Sequence, residues 1–354
     1  MKYLINSINT LSAGTISVLK NTVDDINNIE AKCFVPDLFE RNKNIIPVSG
    51  SSGSLKFVVR FFFEILFSIY SYIYRPDSVL IMANYSILPT YGKKKVLVRN
   101  PYLVDIEAKK KLTKVKDRVL DKIRDVAFII TLKSTDTIFV QSQFMKNGIV
   151  QRFRIKDSTN IIVLPNPVSY TIREYLDNIE EAAADENYFI YPSRYYPHKN
   201  FDFLVDFCDK KSSVLKSNNI KIFITLKQTK ETEYLIRKID KLTEVIVNLG
   251  EIEQSQLFNV YLKMRGLIFP SQSETFGNGL IEAQAFKLPI VVNDKNYARA
   301  VCHEGACFLK MEDESNYNDL CIALVDASKQ SKNLLTKESK VMYPDEWLST
   351  FLEK

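Results

Sequence analysis

The residues best equipped for chemistry are two cations five positions apart, Arg194 and Lys199, and two carboxylates eight apart, Glu274 and Glu282. Tyr191-Pro192 reads as the end of a strand, so both cations leave a strand's carboxyl end, where paired positive charge can neutralise a departing phosphate. A surface Arg/Lys pair with no ligand fits the same residues. Glu274 falls in a loop after a strand ending at Phe269, and Glu282 about one turn into a helix that starts near Gly277-Asn278-Gly279. Two glycines there let the backbone approach a ligand closely. The first N–H groups of such a helix, at a strand's carboxyl end, suit an anion. Carboxylates accept hydrogen bonds from hydroxyls, so a sugar and a ribose are natural partners. A capped helix with acids favouring its dipole is the alternative that spacing alone leaves open.

The elements that must hold these residues alternate short apolar strands with helices, which predicts an α/β chain of parallel sheets covered on both faces. The first half offers strands at Lys2 to Asn6, Ser78 to Ala83, Lys95 to Val98 and Thr137 to Gln141, with a helix from the Ser12-Ala13-Gly14 turn to about Ile26. The second half restarts with Tyr188 to Pro192, Ile220 to Leu226, Glu244 to Leu249, Gly266 to Phe269 and Pro289 to Val292. A chain of 354 residues suits two domains. Leu164-Pro165-Asn166-Pro167 is the best boundary. Residues 1–166 and 167–338 then form two doubly wound, Rossmann-like domains facing a central cleft. A final segment, about 339–354, packs back on the first domain through Trp347, the only tryptophan.

The string from Ser271 to Ala283, S-x-x-E-T-F-G-x-G-L-x-E-A, with Leu288-Pro289-Ile290-Val291-Val292 after it, resembles the donor-site signature of glycosyltransferase family 4, retaining enzymes of the GT-B fold. The resemblance implies that Thr275, Phe276, Gly277, Asn278, Gly279, Leu280 and Glu282 bind a nucleotide-sugar donor. It also implies that Arg194 and Lys199 grip the diphosphate and that Glu274 acts with them in catalysis. Asn248-Leu249-Gly250, with Leu257 and Tyr261, is similar to the segment lining the nucleobase pocket. Tyr297-Ala298-Arg299-Ala300-Val301 resembles a Y-A-R-E-V stretch in which Ala300 replaces the usual Glu. Val140 to Phe144 and Leu164 to Pro167 match the end of the family's first domain. Gly14 stands where a loop faces the diphosphate from the other side, although a plain turn reads equally well.

The first domain departs from that pattern. The family often places a His beside the transferred sugar, whereas this chain has only His198 and His303. Arg99 or Asn100 stands in its place, on the acceptor or sugar side. No D-x-D pair occurs, so Arg194, Lys199 and helix amides replace a divalent metal under the diphosphate, and neither a metal nor another cofactor is expected. The family mechanism, with the leaving phosphate taking the acceptor proton on the same face, calls for no separate base. Asp105 or Glu107 would matter only in an inverting enzyme.

Composition limits the other classes. Five scattered cysteines without a C-x-x-C pair read as reduced thiols. The N-terminus has no signal-peptide layout and reads as a strand that starts at once. The net charge of +6 is mild, and no groove-reading motif points to nucleic acid. Neither half opens with G-x-G-x-x-G after its first strand, which excludes a nicotinamide dehydrogenase.

Two stretches bear on the acceptor. Phe57 to Tyr74 is apolar, but Arg60 and Glu64 inside it argue for a buried or interfacial helix rather than a span. Lys109 to Arg124 reads as a basic amphipathic helix with Leu112, Val115, Val119 and Leu120 on one side. Together they predict a positive, aromatic-rich face suited to an anionic membrane surface or a lipid-diphosphate acceptor. A solvated Lys-rich helix over a buried aromatic one is the competing arrangement.

The expectation is thus a retaining enzyme of bacterial surface-polysaccharide synthesis (O-antigen or capsule), using a nucleotide-sugar donor and a glycan or polyprenyl-diphosphate-linked acceptor. It is expected in the cytoplasm, peripheral to the membrane. A catalytically silent sugar-nucleotide-binding subunit and a GT-B-fold epimerase are the rivals.

Overall fold

The computed structural model describes residues 1–8, 13–51, 56–105, 109, 115–155, 160–170, 172, 174, 186–330 and 342–354. The chain divides into two units, Met1–Ser169 with Met342–Lys354, and Tyr170–Val341.

The first unit runs β1 (Tyr3–Asn6), α1 (Ala13–Asn27), β2 (Ala31–Pro36), β3 (Ile45–Val48), α2 (Lys56–Tyr74), β4 (Ser78–Ile81), β5 (Lys93–Val98), α3 (Val115–Ser134), β6 (Thr137–Val140), α4 (Gln143–Phe153) and β7 (Ile161–Val163). Its seven strands are all parallel, in the order β3-β2-β1-β4-β5-β6-β7. Strands such as SVLI and TIFV are buried along their whole length because helices cover both faces. Ile5, Leu80, Leu97 and Phe139 point to one face, under Val18 and Leu19 of α1. Leu4, Val79, Val96 and Ile138 point to the other, under α2, α3 and α4.

The second unit runs β8 (Asn187–Tyr191), α5 (Phe201–Lys210), α6 (Ser212–Ser217), β9 (Ile220–Ile224), α7 (Glu233–Ile239), β10 (Ile246–Asn248), α8 (Gln254–Lys263), β11 (Gly266–Phe269), α9 (Asn278–Ala285), β12 (Ile290–Asn293), α10 (Asn296–Val301), β13 (Cys307–Leu309) and α11 (Tyr317–Lys329). Its six parallel strands take the order β10-β9-β8-β11-β12-β13. In both sheets the order reverses direction at the first strand, the Rossmann pattern. The crevice outside the carboxyl ends at that reversal is where doubly wound sheets bind ligands. In the second unit the reversal lies between β8 and β11.

The last helix, α12 (Pro344–Glu353), belongs to the first unit. Trp347 is 1% exposed within the α1-side core, and the Phe351 ring meets Phe139 edge-on at 4.9 Å. The Lys95 ammonium donates to the carbonyl of Leu352. Phe351→Leu is expected to cost about 1–2 kcal/mol, because it loses the ring contact and leaves a small void. A lower denaturant midpoint at unchanged slope would register this.

Several positions differ from the sequence expectation. The described part of the basic helix, Val115–Ser134, continues ten residues past Arg124, because Val126, Phe128, Ile129 and Ile130 extend its apolar pattern. Residues 110–114, with Leu112, lie outside the described residues, as do Ser12 and Glu107. The unit limit falls after Ser169 rather than at 166. All five cysteines are free thiols.

Candidate functional site

The site grows from two neighbouring strand ends. After β8 the chain passes Pro192 and Ser193 to Arg194, then makes a 3-10 turn, Pro197–Lys199, closed by Lys199 N–H donating to the Tyr196 carbonyl at 2.8 Å. Asn200 follows with φ 60°, a left-handed conformation that asparagine tolerates, and starts α5. Its amide donates to the carbonyls of Pro270 (3.2 Å) and Met311 (2.8 Å), tying the β8 loop to the β11 loop. Tyr191, fully buried, donates its hydroxyl to the Lys199 carbonyl at 2.9 Å. Burial and the nearby Glu274 hold that phenol well above its ordinary pKa, so it remains a donor.

These ties bring Lys199 and Glu274 together. Their ammonium and carboxylate form an ion pair with side chains 15% and 14% exposed. Ser271 Oγ donates to the same Glu274 oxygen at 2.9 Å. Ser271 is itself held in place: its carbonyl accepts from Tyr297 Oη at 2.8 Å and from Asn293 Nδ2 at 3.2 Å. The β11 loop is therefore fixed from β12 and α10 before any ligand arrives.

Arg194 is not part of this pair. Its side chain is 60% exposed, with Nη2 3.6 Å from Glu251, which Lys227 also engages at 2.6 Å. The Lys227 hydrogen bond and charge, with the Arg194 charge, hold the exposed Glu251 carboxyl below its ordinary pKa. An exposed pair of this kind is screened by solvent and contributes little, so Arg194 can reorient at little cost.

Gly277 caps α9 at φ 84°, where an added Cβ would lie 3.0 Å from Leu280 Cδ1. Gly277→Ala is expected to cost about 1–3 kcal/mol through backbone strain, read as a lower melting temperature. At Gly279 a Cβ would approach the Phe269 ring to 3.4 Å, so the helix start lies against the end of β11. Leu280 and Phe276 are buried beneath it, while Thr275 and Asn278 are partly exposed.

Glu282, one turn into α9, is half-buried. Its carboxylate accepts from Tyr261 Oη at 3.1 Å and from the Gln254 side chain. Burial outweighs both bonds and pushes its carboxyl up to about 7. Tyr261 is fully buried in α8. Asn248, at the end of β10, exchanges hydrogen bonds with the Leu226 backbone (2.8 and 3.0 Å) and accepts from Gly250 N–H at 3.1 Å. Gly250, at φ 74°, has open space where a side chain would be. Leu249 lines a cavity of about 260 Å³ with Tyr188, Phe223, Val260 and Met264.

In the first unit Gly14 lies in the first turn of α1. Asn100 is buried and spent on structure: it accepts from Tyr102 N–H at 3.1 Å and donates to Tyr85 Oη at 2.6 Å. The Arg99 guanidinium donates to the Met82 carbonyl at 3.1 Å, and burial lowers its pKa to about 10. Its buried Nη1 finds no hydrogen-bond partner among the described residues. Asp105 is partly buried near the turn Pro101–Leu103.

Sequence reasoning passed over Ser271, Asn293 and the scaffold role of Asn200. The usable signal was a polar residue at the carboxyl end of an otherwise apolar strand.

The family described as "Glycosyl transferases group 1" matches residues 173–339. Over 190 residues the chain is 25% identical to the O-antigen chain mannosyltransferase RfbU of Salmonella typhimurium, covering 53% of this chain and 50% of that protein. The chain thus spans about half the length of this curated relative. The sucrose-phosphate synthase of Thermosynechococcus elongatus superposes with a TM-score of 0.70 over 99% of this chain and 97% of that one, at 14% identity. Anabaena Alr3699/HepE, in complex with UDP and glucose, gives 0.65 over 99% of each chain at 12% identity. At such identities the structural likeness shows the fold, and the fold is GT-B with two Rossmann-like domains.

Proposed function

We propose that this chain, a GT-B-fold protein resembling glycosyltransferase family 4 and matching the group 1 glycosyl transferases over residues 173–339, moves a sugar from a nucleotide-diphosphate sugar to a glycan or lipid-linked glycan. The observation that carries this reading is the Lys199–Glu274 pair beside a glycine-started helix, at the carboxyl ends of the adjacent strands β8 and β11. That is the sheet-reversal point of the second unit, where a diphosphate meets helix amides and a cation.

In this mechanism Lys199 and a reoriented Arg194 stabilise the departing diphosphate, and Glu274 positions the cation and the sugar. Glu282 accepts from the ribose hydroxyls. Transfer proceeds with retention, the leaving phosphate taking the acceptor proton. The first unit, with Arg99 on the acceptor side, serves the acceptor, and the second serves the donor. The likeness to an O-antigen mannosyltransferase supports a role in bacterial surface-polysaccharide synthesis.

The test follows nucleoside diphosphate release from a panel of sugar nucleotides, with the product anomer assigned by NMR. The reading expects one donor to turn over with its configuration kept. An inverted product would contradict the mechanism, and a folded protein that releases no diphosphate would contradict the activity.

A further inference from the structure

Sixteen of the twenty-two exposed large apolar side chains among the described residues lie on α2, α3 and the β4–β5 loop, so exposed apolar surface is concentrated on one face of the first unit. Both helices pack on the same side of the sheet, through Phe63 and Phe67 of α2 and Phe128 of α3. The β4–β5 loop bridges them. Tyr91 N–H donates to Ser71 Oγ of α2 at 3.0 Å, and Ser86 N–H donates to Thr131 Oγ1 of α3 at 2.9 Å. The loop adds Ile87 and Tyr91 to the exposed apolar strip.

The polarity of α2 is inverted for a helix in water. Arg60 turns inward to the Ser51 carbonyl (3.0 and 3.2 Å), and Glu64 turns inward to accept from Asn6 Nδ2 at 2.9 Å. Phe61, Phe62, Leu66, Ile69 and Ile73 point outward, 54–74% exposed. On α3 the acids Asp121 and Asp125 likewise turn in, to Lys109 and Arg152. Val119, Ile123, Val126 and Ile130 are left outward beside the exposed Arg118, Lys122 and Lys133. Arg75 and Lys93 are also exposed, against exposed acids only at Asp77 and Asp136 among the described side chains of this face.

We infer that this face docks on an anionic lipid bilayer, with α2 lying in the interface plane. Contiguous exposed apolar surface marks an interaction site, and a cationic rim selects an anionic partner. Among the described residues no helix is long and apolar enough to cross a membrane, which agrees with lying on the surface. A second copy is the poorer occupant, because a self-complementary contact through this face would set its exposed cations against a surface with few exposed acids to pair them. This inference goes beyond the transfer reading, and its readout needs no turnover.

Purified full-length protein is sedimented with phosphatidylcholine vesicles with and without phosphatidylglycerol, at low and high salt. The expected result is co-sedimentation with the anionic vesicles, weakening as salt rises. Leu66→Glu and Phe62→Glu should abolish it, and Lys122→Glu should weaken it at least tenfold. These positions are exposed, and circular dichroism checks that each variant is folded. Two results would overturn the inference: no binding to anionic vesicles at low salt, or concentration-dependent dimers that Leu66→Glu makes monomeric while vesicle binding is absent.

Discussion

Replacing Lys199 with alanine is expected to lower the transfer rate constant by about 10²–10³, with little change in acceptor KM. The ammonium is held before any ligand arrives: its turn is closed at Tyr196, its carbonyl is bound by Tyr191, and its charge is paired with Glu274. A cation fixed in this way needs no reorganisation as the phosphate departs. That is why its loss acts on the rate, at about 3–4 kcal/mol. Removing it also leaves Glu274 with Ser271 but no counter-charge, so the site turns negative where a diphosphate must sit. The double variant Lys199→Met, Glu274→Gln separates the two effects. Stability should return once both charges are gone, while activity should not. Recovery of activity in the double variant would reduce the pair to a structural ion pair.

The second large effect belongs to Glu282. Its carboxyl is raised to about 7 in the folded protein from an ordinary 4.5, so the folded state holds a proton that the unfolded state has released across that window. Stability contributed by this group therefore falls as pH rises from about 4.5 to about 7 and is level above it, by an amount on the order of 3 kcal/mol. Glu282→Gln removes the penalty, so the variant should melt higher than the parent at pH 8 and equal it below about pH 4.5. Donor affinity runs in the opposite sense. If the carboxylate form accepts the ribose hydroxyls, affinity for an intact sugar nucleotide should rise about tenfold between pH 6 and pH 8, following a single titration. The Gln variant should bind weakly at both. Isothermal calorimetry at the two pH values reads this directly, and a flat profile for the parent would remove Glu282 from the donor site.

The α/β class was legible because runs such as SVLI, KVLV and IVV can be buried on both faces only in a parallel sheet. Strands β2, β3, β7 and β13 were not. Pro36 and Pro47 disguise the first two, and proline is tolerated because Pro36 ends β2 and Pro47 sits in the edge strand β3. The other two are three-residue edge strands, too short for any period to register. In the site, Arg194, Lys199 and Glu274 stood out because charge is rare just past the ends of apolar strands, and Glu282 by its spacing from Glu274 across a glycine-started helix. The neutral residues that position them did not. Ser271, Asn293 and Tyr297 act through contacts between residues 22–26 positions apart, which leave no periodic mark. Tyr261 resembled a nucleobase contact in sequence, and the structure places its hydroxyl on the Glu282 carboxylate. Asn100 looked available for a sugar, yet its amide caps the turn at Tyr102 and binds Tyr85.

The most direct test of the donor site is thermal stabilisation by UDP, GDP, ADP, CMP and dTDP, each at about a hundred times a plausible dissociation constant. A specific ligand at that ratio adds about 2.7 kcal/mol, enough to raise the melting temperature by several degrees. One diphosphate is expected to give this shift, and Arg194→Ala and Glu282→Ala are each expected to lose it. If no nucleotide shifts the folded protein, or if both variants keep the full shift, the donor site is not at the β8 and β11 strand ends.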